Sequence, residues 1–179
     1  FTQKDIEAPG YTLLEQIDHI LEQPDCLSDI RIKNNLAFRK NQVMAGCRLW
    51  PWVLRLAAVI LEQHQVQRPD YEPFLQTAYD RLSLSKKEQK ALRRLVGLTG
   101  QLLELHNKET LTDDHLFNID CEGDEDITGV VILIEAMQQI HRPSIPAHLL
   151  NRLLWIQDRR TIVQQKTLLV TGTDILQTH

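Results

Sequence analysis

The stretch from Arg48 to Gln65, RLWPWVLRLAAVILEQHQ, decides the fold class. Its apolar residues recur at spacings of three and four rather than at alternate positions, which predicts a buried helix and not a strand. Pro51 falls in the first turn of that helix, where its missing backbone N–H costs least. Leu56-Ala57-Ala58-Val59-Ile60 then runs into Leu61-Glu62, so the apolar run ends on a single carboxylate.

The same period continues on both sides of this stretch. Leu13, Leu14, Ile17, Ile20 and Leu21 predict a first helix ending near Pro24. Ile30 to Lys40 predicts a second, with Ile32, Leu36 and Phe38 facing inward. Tyr71 to Leu82 forms another after the Arg68-Pro69-Asp70 turn. Ser85-Lys86-Lys87-Glu88 is a capping box, and the helix it opens carries a buried stripe of Leu92, Leu95, Val96, Leu102 and Leu103. Gly97 and Gly100 in that stripe permit either close packing or a break. Thr112 to Asn118 reads as a turn or short helix, and Asp120 to Asp126 as an acidic loop. An apolar helix from Ile127 to Ile140 follows, and Ser144-Ile145-Pro146 opens a last amphipathic helix to about Lys166. Leu168-Leu169-Val170 is the one strand-like run, too short for a sheet. The expectation is an all-α fold, an irregular helical array of about seven to nine helices without an internal repeat.

At 179 residues the chain is long enough for one domain with a substantial core. Its 42% hydrophobic and 25% charged content is that of an ordinary globular protein, not of a disordered or fibrous one. Cys26, Cys47 and Cys121 form no C-x-x-C and no even framework, which suits a reducing, cytoplasmic setting. No apolar run is long enough to span a membrane, and the polar opening FTQKDIEAPG lacks the centre of a signal peptide. The chain opens on Phe1 rather than methionine, as a fragment or a processed form would.

A net charge of −4 conceals segregation. Residues 1–29 hold one lysine against seven acids, whereas Ile30 to Leu61 holds six basic residues and no acid. Arg81 to Arg94 carries six basic residues against Glu88 alone, and Glu104 to Asp126 reverses sign with nine acids against Lys108. Such blocks matter more to a polyanionic partner than the total does. Lys86, Lys90 and Arg93, together with Lys87 and Arg94, recur at helical spacing on a face opposite the leucine stripe, suited to tracking a phosphate backbone or simply to being solvated. Arg31, Lys33, Arg39, Lys40 and Arg48 make a second cluster. Trp50, Trp52 and Trp155 are read as core rather than as stacking platforms for bases.

Metal and nucleotide chemistry are disfavoured. The helix before Leu61-Glu62 has the cadence of an HD-type phosphohydrolase helix, yet it lacks the His-Asp pair that holds the cation there, and no H-x-x-x-H or H-E-x-x-H occurs. Asp124-Glu125-Asp126 is a D-x-D, but without the strand and glycine-rich loop that a nucleotidyltransferase site requires. It reads as a solvated turn favouring the start of the following helix.

Four segments, in order, resemble the C-terminal part of the bacterial tRNA nucleotidyltransferase (CCA-adding enzyme) and poly(A) polymerase family. Trp52-Val53-Leu54-Arg55-Leu56-Ala57-Ala58 is similar to its W-x-L-R-L-A-A helix, and Leu84 to Arg93 to its L-S-K-x-E-x-x-x-L helix. Gly123 to Ala136 resembles the turn before its L-L-x-x-A helix, and Leu168 to Leu176 its P-L-(L/V)-x-G-x-D-L-(L/M) junction. The resemblance implies a helical body domain over 1–166 and the start of a truncated tail at 167–179. It implies tRNA or another RNA 3′ end as partner, and a nucleotidyltransferase head, N-terminal to this region, as the other. The head's G-G-x-(V/A)-R-D loop and the neck's E-D-x-x-R find no match, so magnesium and a nucleoside triphosphate belong to the head and this chain alone is expected to be inactive. The residues assigned to RNA contact are Lys86, Lys87, Lys90, Arg93 and Arg94, then Arg39, Lys40 and Arg48. The rival expectation is a helical protein-interaction or regulatory domain on a degenerate HD-type scaffold, docking through its acidic loop or basic faces.

Overall fold

The computed structural model describes residues 12–42, 44, 49–63, 71–140 and 145–169, with 164–169 as backbone only. Within them lie eight α-helices and no strand: α1 (Thr12–Glu22), α2 (Ile30–Arg39), α3 (Trp50–Gln63), α4 (Glu72–Leu82), α5 (Lys86–Asn107), α6 (Asp113–Gly123), α7 (Ile127–Gln139) and α8 (Ala147–Leu169). Two single 3₁₀ turns, Pro24–Cys26 and Asp124–Asp126, lead towards α2 and α7. The all-α expectation holds.

The array is organised around α7. Every residue from Ile127 to Met137 is buried, as befits a helix that has no polar face to offer water. α1, α2, α3 and α5 pack against it, α6 leans on α5 and α8, and α4 lies on α5. Gly129 permits a close approach among these. A Cβ at that position would lie 2.4 Å from Leu95 Cδ2 of α5 and 3.1 Å from Trp50 Cζ2 of α3, so three helices converge where a side chain is missing.

α3 buries Trp50, Val53, Leu54, Ala57, Ala58 and Leu61 between α1 and α5. Its small Ala57-Ala58 step contributes little area, while each buried leucine contributes about 1.5–3 kcal/mol. Glu62 at its end has a definite task. Thr12 Oγ1 donates to Glu62 Oε1 at 2.9 Å, and the Leu13 backbone N–H donates to both carboxylate oxygens at 3.2 Å. The carboxylate that ends the apolar run therefore caps the N-terminus of α1, answering the Leu13 N–H, which has no partner inside its own helix.

Several expectations need correction. Phe38 is 76% exposed, because Ile32, Leu36 and Arg39 form the inward line of α2 at spacings of four and three, and Phe38 falls on the other side. Leu168 and Leu169 belong to α8 rather than to a strand, while Val170 lies outside the described residues. α6 extends the predicted 112–118 segment to Gly123 and so absorbs half of the acidic loop. Trp50 is fully buried and Trp52 half-buried, but Trp155 is 52% exposed beneath Arg159, whose Cζ lies 4.9 Å from the ring centroid. The capping box is present as predicted: Ser85 N–H donates to Glu88 Oε2 at 2.8 Å, and Glu88 N–H to Ser85 Oγ at 3.3 Å. α5 runs unbroken through Gly97 and Gly100, and Gly100 meets the Tyr71 ring, 2.7 Å from a Cβ that alanine would add.

Replacing Glu62 with alanine should lower stability by about 0.5–2 kcal/mol through loss of the α1 cap. Chemical denaturation of parent and variant measures it; unchanged midpoints would show that α1 does not depend on this carboxylate.

Candidate nucleic-acid interface

The basic residues singled out in the sequence divide into two sets once their surroundings are visible. Lys86, Lys87 and Lys90 occupy the first turns of α5 and are exposed. The ion pairs of the described residues take in none of the three. Arg93, also exposed, pairs with Glu72 of α4. At such a surface pair the mutual attraction is small and readily exchanged for another anion.

Arg94 and Arg39 are differently placed. Arg94 Nη1 lies 3.3 Å from Asp126 Oδ2, and Arg39 Nη1 lies 3.7 Å from Asp126 Oδ1. Arg39 Nη2 is 3.6 Å from Glu125 Oε2, and its guanidinium stacks 5.3 Å above the Trp50 ring centroid. Only 9% of the Arg39 side chain and 6% of the Asp126 side chain remain exposed. The acidic segment is thus only in part a solvated turn: Glu122, Asp124 and Glu125 are exposed, but Asp126 is buried. Asp120 is buried too, held by Arg160 of α8 through Nε at 2.6 Å, while Arg160 Nη1 reaches Asp124 at 3.7 Å. Three arginines from α2, α5 and α8 converge on the turn that joins α6 to α7. Nothing in the sequence signalled these pairings, since each joins residues far apart along the chain.

Burial governs the electrostatics of this cluster. It raises the Asp126 carboxyl above its ordinary range, against the opposing pull of Arg39 and then Arg94, and it raises Asp120 against Arg160. Burial likewise lowers Arg39 despite Asp126 and Glu125. Desolvation outweighs attraction on both sides of the pair, as is common for interior ions.

Of the second basic cluster, Arg31 pairs with Asp29 and Asp158, and Lys33 with Asp25. Lys40 is half-buried and borders a separate apolar groove of about 420 Å³ beside Leu21, Leu49, Pro51 and Trp52. Arg48 lies outside the described residues, as does Cys47. Cys26 and Cys121 are free thiols. Among the described residues no group of three or more His, Cys, Asp or Glu side chains is arranged to hold a metal ion, and no helix is long and apolar enough to cross a membrane. The D-x-D of residues 124–126 does not fit a nucleotide–magnesium site, because Asp126 is engaged by Arg39 and Arg94 and the segment is a helical turn.

Lys90 is the geometric centre of the free basic face. It borders three surface clefts of about 230, 440 and 360 Å³, which share parts of their walls with Lys87, Arg94, Arg93 and Lys86. Carboxylates share two of these walls, Glu122 in one and Asp124, Glu125 and Asp126 in another. No family model matches this chain, and no curated protein or solved structure matches it significantly.

A carboxyl whose folded value lies above its unfolded one contributes stability that is full at acid pH, below the unfolded value, and is lost as pH rises through the folded value. Asp126→Asn removes that loss while keeping the shape of the side chain. Relative to the parent, the variant's melting temperature should therefore rise as pH is taken from about 4 to about 7. Thermal melts across the range, followed by circular dichroism, check this; a pH-independent difference would contradict it.

Proposed function

We propose that this chain is the RNA-binding helical body region of a tRNA nucleotidyltransferase or poly(A) polymerase, bearing on the tRNA acceptor arm while an N-terminal head extends the 3′ end. The observation that carries the reading is the set of exposed lysines 86, 87 and 90 at the start of α5, outside every ion pair of the described residues and bordering contiguous clefts. Ammonium groups in that condition bind phosphates by releasing counterions and fix position without reading bases. Arg93 extends the row once it leaves Glu72.

The resemblance supports the same reading. Its W-x-L-R-L-A-A segment is here a packing helix with Val53, Leu54, Ala57 and Ala58 buried, and Arg55 Nε is turned to Asp18 of α1 at 2.5 Å. A body domain asks nothing more of that helix. The second reading, an interaction domain, draws on the exposed Trp155 and Ile162 of α8. Its acidic docking loop is weaker support, because Asp120 and Asp126 face inward.

Labelled tRNA titrated against the chain separates the two. Changing Lys86, Lys87 and Lys90 together to glutamine should weaken binding across RNA sequences and make the log–log salt dependence shallower by about two to three. Parent-like affinity and slope in the triple variant would overturn the assignment.

A further inference from the structure

The cleft of about 230 Å³ between the end of α2, the start of α3, the first turns of α5 and the 124–126 turn is more than a stretch of charged surface. Lys87 and Lys90 stand at its rim, and Arg39, Arg94 and Trp50 line it further in. These four cations face three carboxylates, Asp124, Glu125 and Asp126, while Arg160 balances the buried Asp120; an excess of one positive charge remains. Arg39 is nearly buried, yet its contacts at 3.6 and 3.7 Å are longer than hydrogen bonds. Its planar fork of N–H donors is therefore unspent within the described residues. The guanidinium is also held in orientation by the Trp50 ring beneath it.

Unspent donors on an immobilised guanidinium, backed by two ammonium groups and a local positive excess, match an oxyanion with several acceptor oxygens. We infer that this cleft seats one phosphate group of the bound RNA, with Arg39 inside and Lys87 and Lys90 at the rim supplying the donors. The inference rests on the RNA reading above and adds to it a fixed register. The exposed lysines of α5 let a backbone slide, whereas donors converging from α2 and α5 hold one phosphate in one place. The group is either an internal phosphodiester or a terminal 5′ monoester.

Titration of the chain with inorganic phosphate at low ionic strength, read by calorimetry, tests the seat. Saturable binding is expected, weakened about three- to fivefold by Lys87→Gln and about tenfold by Arg39→Lys, which keeps the charge but loses the fork. Lys108→Gln should leave it unchanged, because Lys108, at the far end of α5, borders none of the three clefts and pairs with Glu104. Lys87→Gln lies at the exposed rim and carries the test should Arg39→Lys fail to fold. Displacement of phosphate by a 5′-hydroxyl RNA oligonucleotide supports the seat and assigns it to an internal phosphodiester; displacement only by the 5′-phosphorylated oligonucleotide supports it as a terminal site. Unsaturable phosphate binding, equal weakening by Lys108→Gln and Lys87→Gln, or failure of bound RNA to displace phosphate overturns the seat. A chain that takes up phosphate but no RNA overturns instead the reading on which the seat rests, and with it the RNA source of the group.

Discussion

Asp126 is the constraint on which the arrangement depends. It stands where the 3₁₀ turn enters α7, the helix around which the others pack, and it is shared by Arg39 of α2 and Arg94 of α5. Asp120, six residues earlier in the chain, is fixed by Arg160 of α8. The entry to the central helix is thus held from three directions by charge, while its flanks are held by apolar packing. Buried ions of this kind are a poor source of net stability, since burial works against both partners. Their effect is on placement. A hydrophobic side chain tolerates many neighbours, whereas an unpaired interior carboxylate does not, so the pairing narrows the ways in which α2, α5 and α8 can meet α7.

The same cluster sorts the basic residues. Arg94 and Arg160, held closely by interior carboxylates, are committed to architecture; Arg39, at longer reach from Asp126, stands between the two roles, and Lys86, Lys87 and Lys90 are left to the surface. The short lever of the first α5 turns puts both kinds within one small region. An acidic chain can in this way present a compact positive surface, because much of its negative charge is used internally or lies elsewhere.

Helix identity was legible because a period near 3.6 needs only local sequence, and the cap at Ser85 needs only four consecutive residues. The lysine face was legible for the same reason. The roles of the arginines were not: Arg94 and Asp126 are 32 residues apart, and Arg160 and Asp120 are 40 apart. Phe38 and Arg39 show how composition misleads. The more apolar of two adjacent residues was assigned inward, yet the line through Ile32 and Leu36 continues to Arg39, and Asp126 and Trp50 make that burial tolerable. The run of acids at 120–126 misled in the opposite direction, since charge density suggests water and the arginines that replace water come from other helices.

Glu62 gives the first helix an unusual mechanical position. A helix commonly frays at its start because its first N–H groups have no partner within it. Here one of them, the Leu13 N–H, is held by Glu62 at the far end of α3, together with the Thr12 hydroxyl. The start of α1 and the end of α3 are therefore latched to one another at a single carboxylate, so that the two helices share an end-point as well as a packed flank.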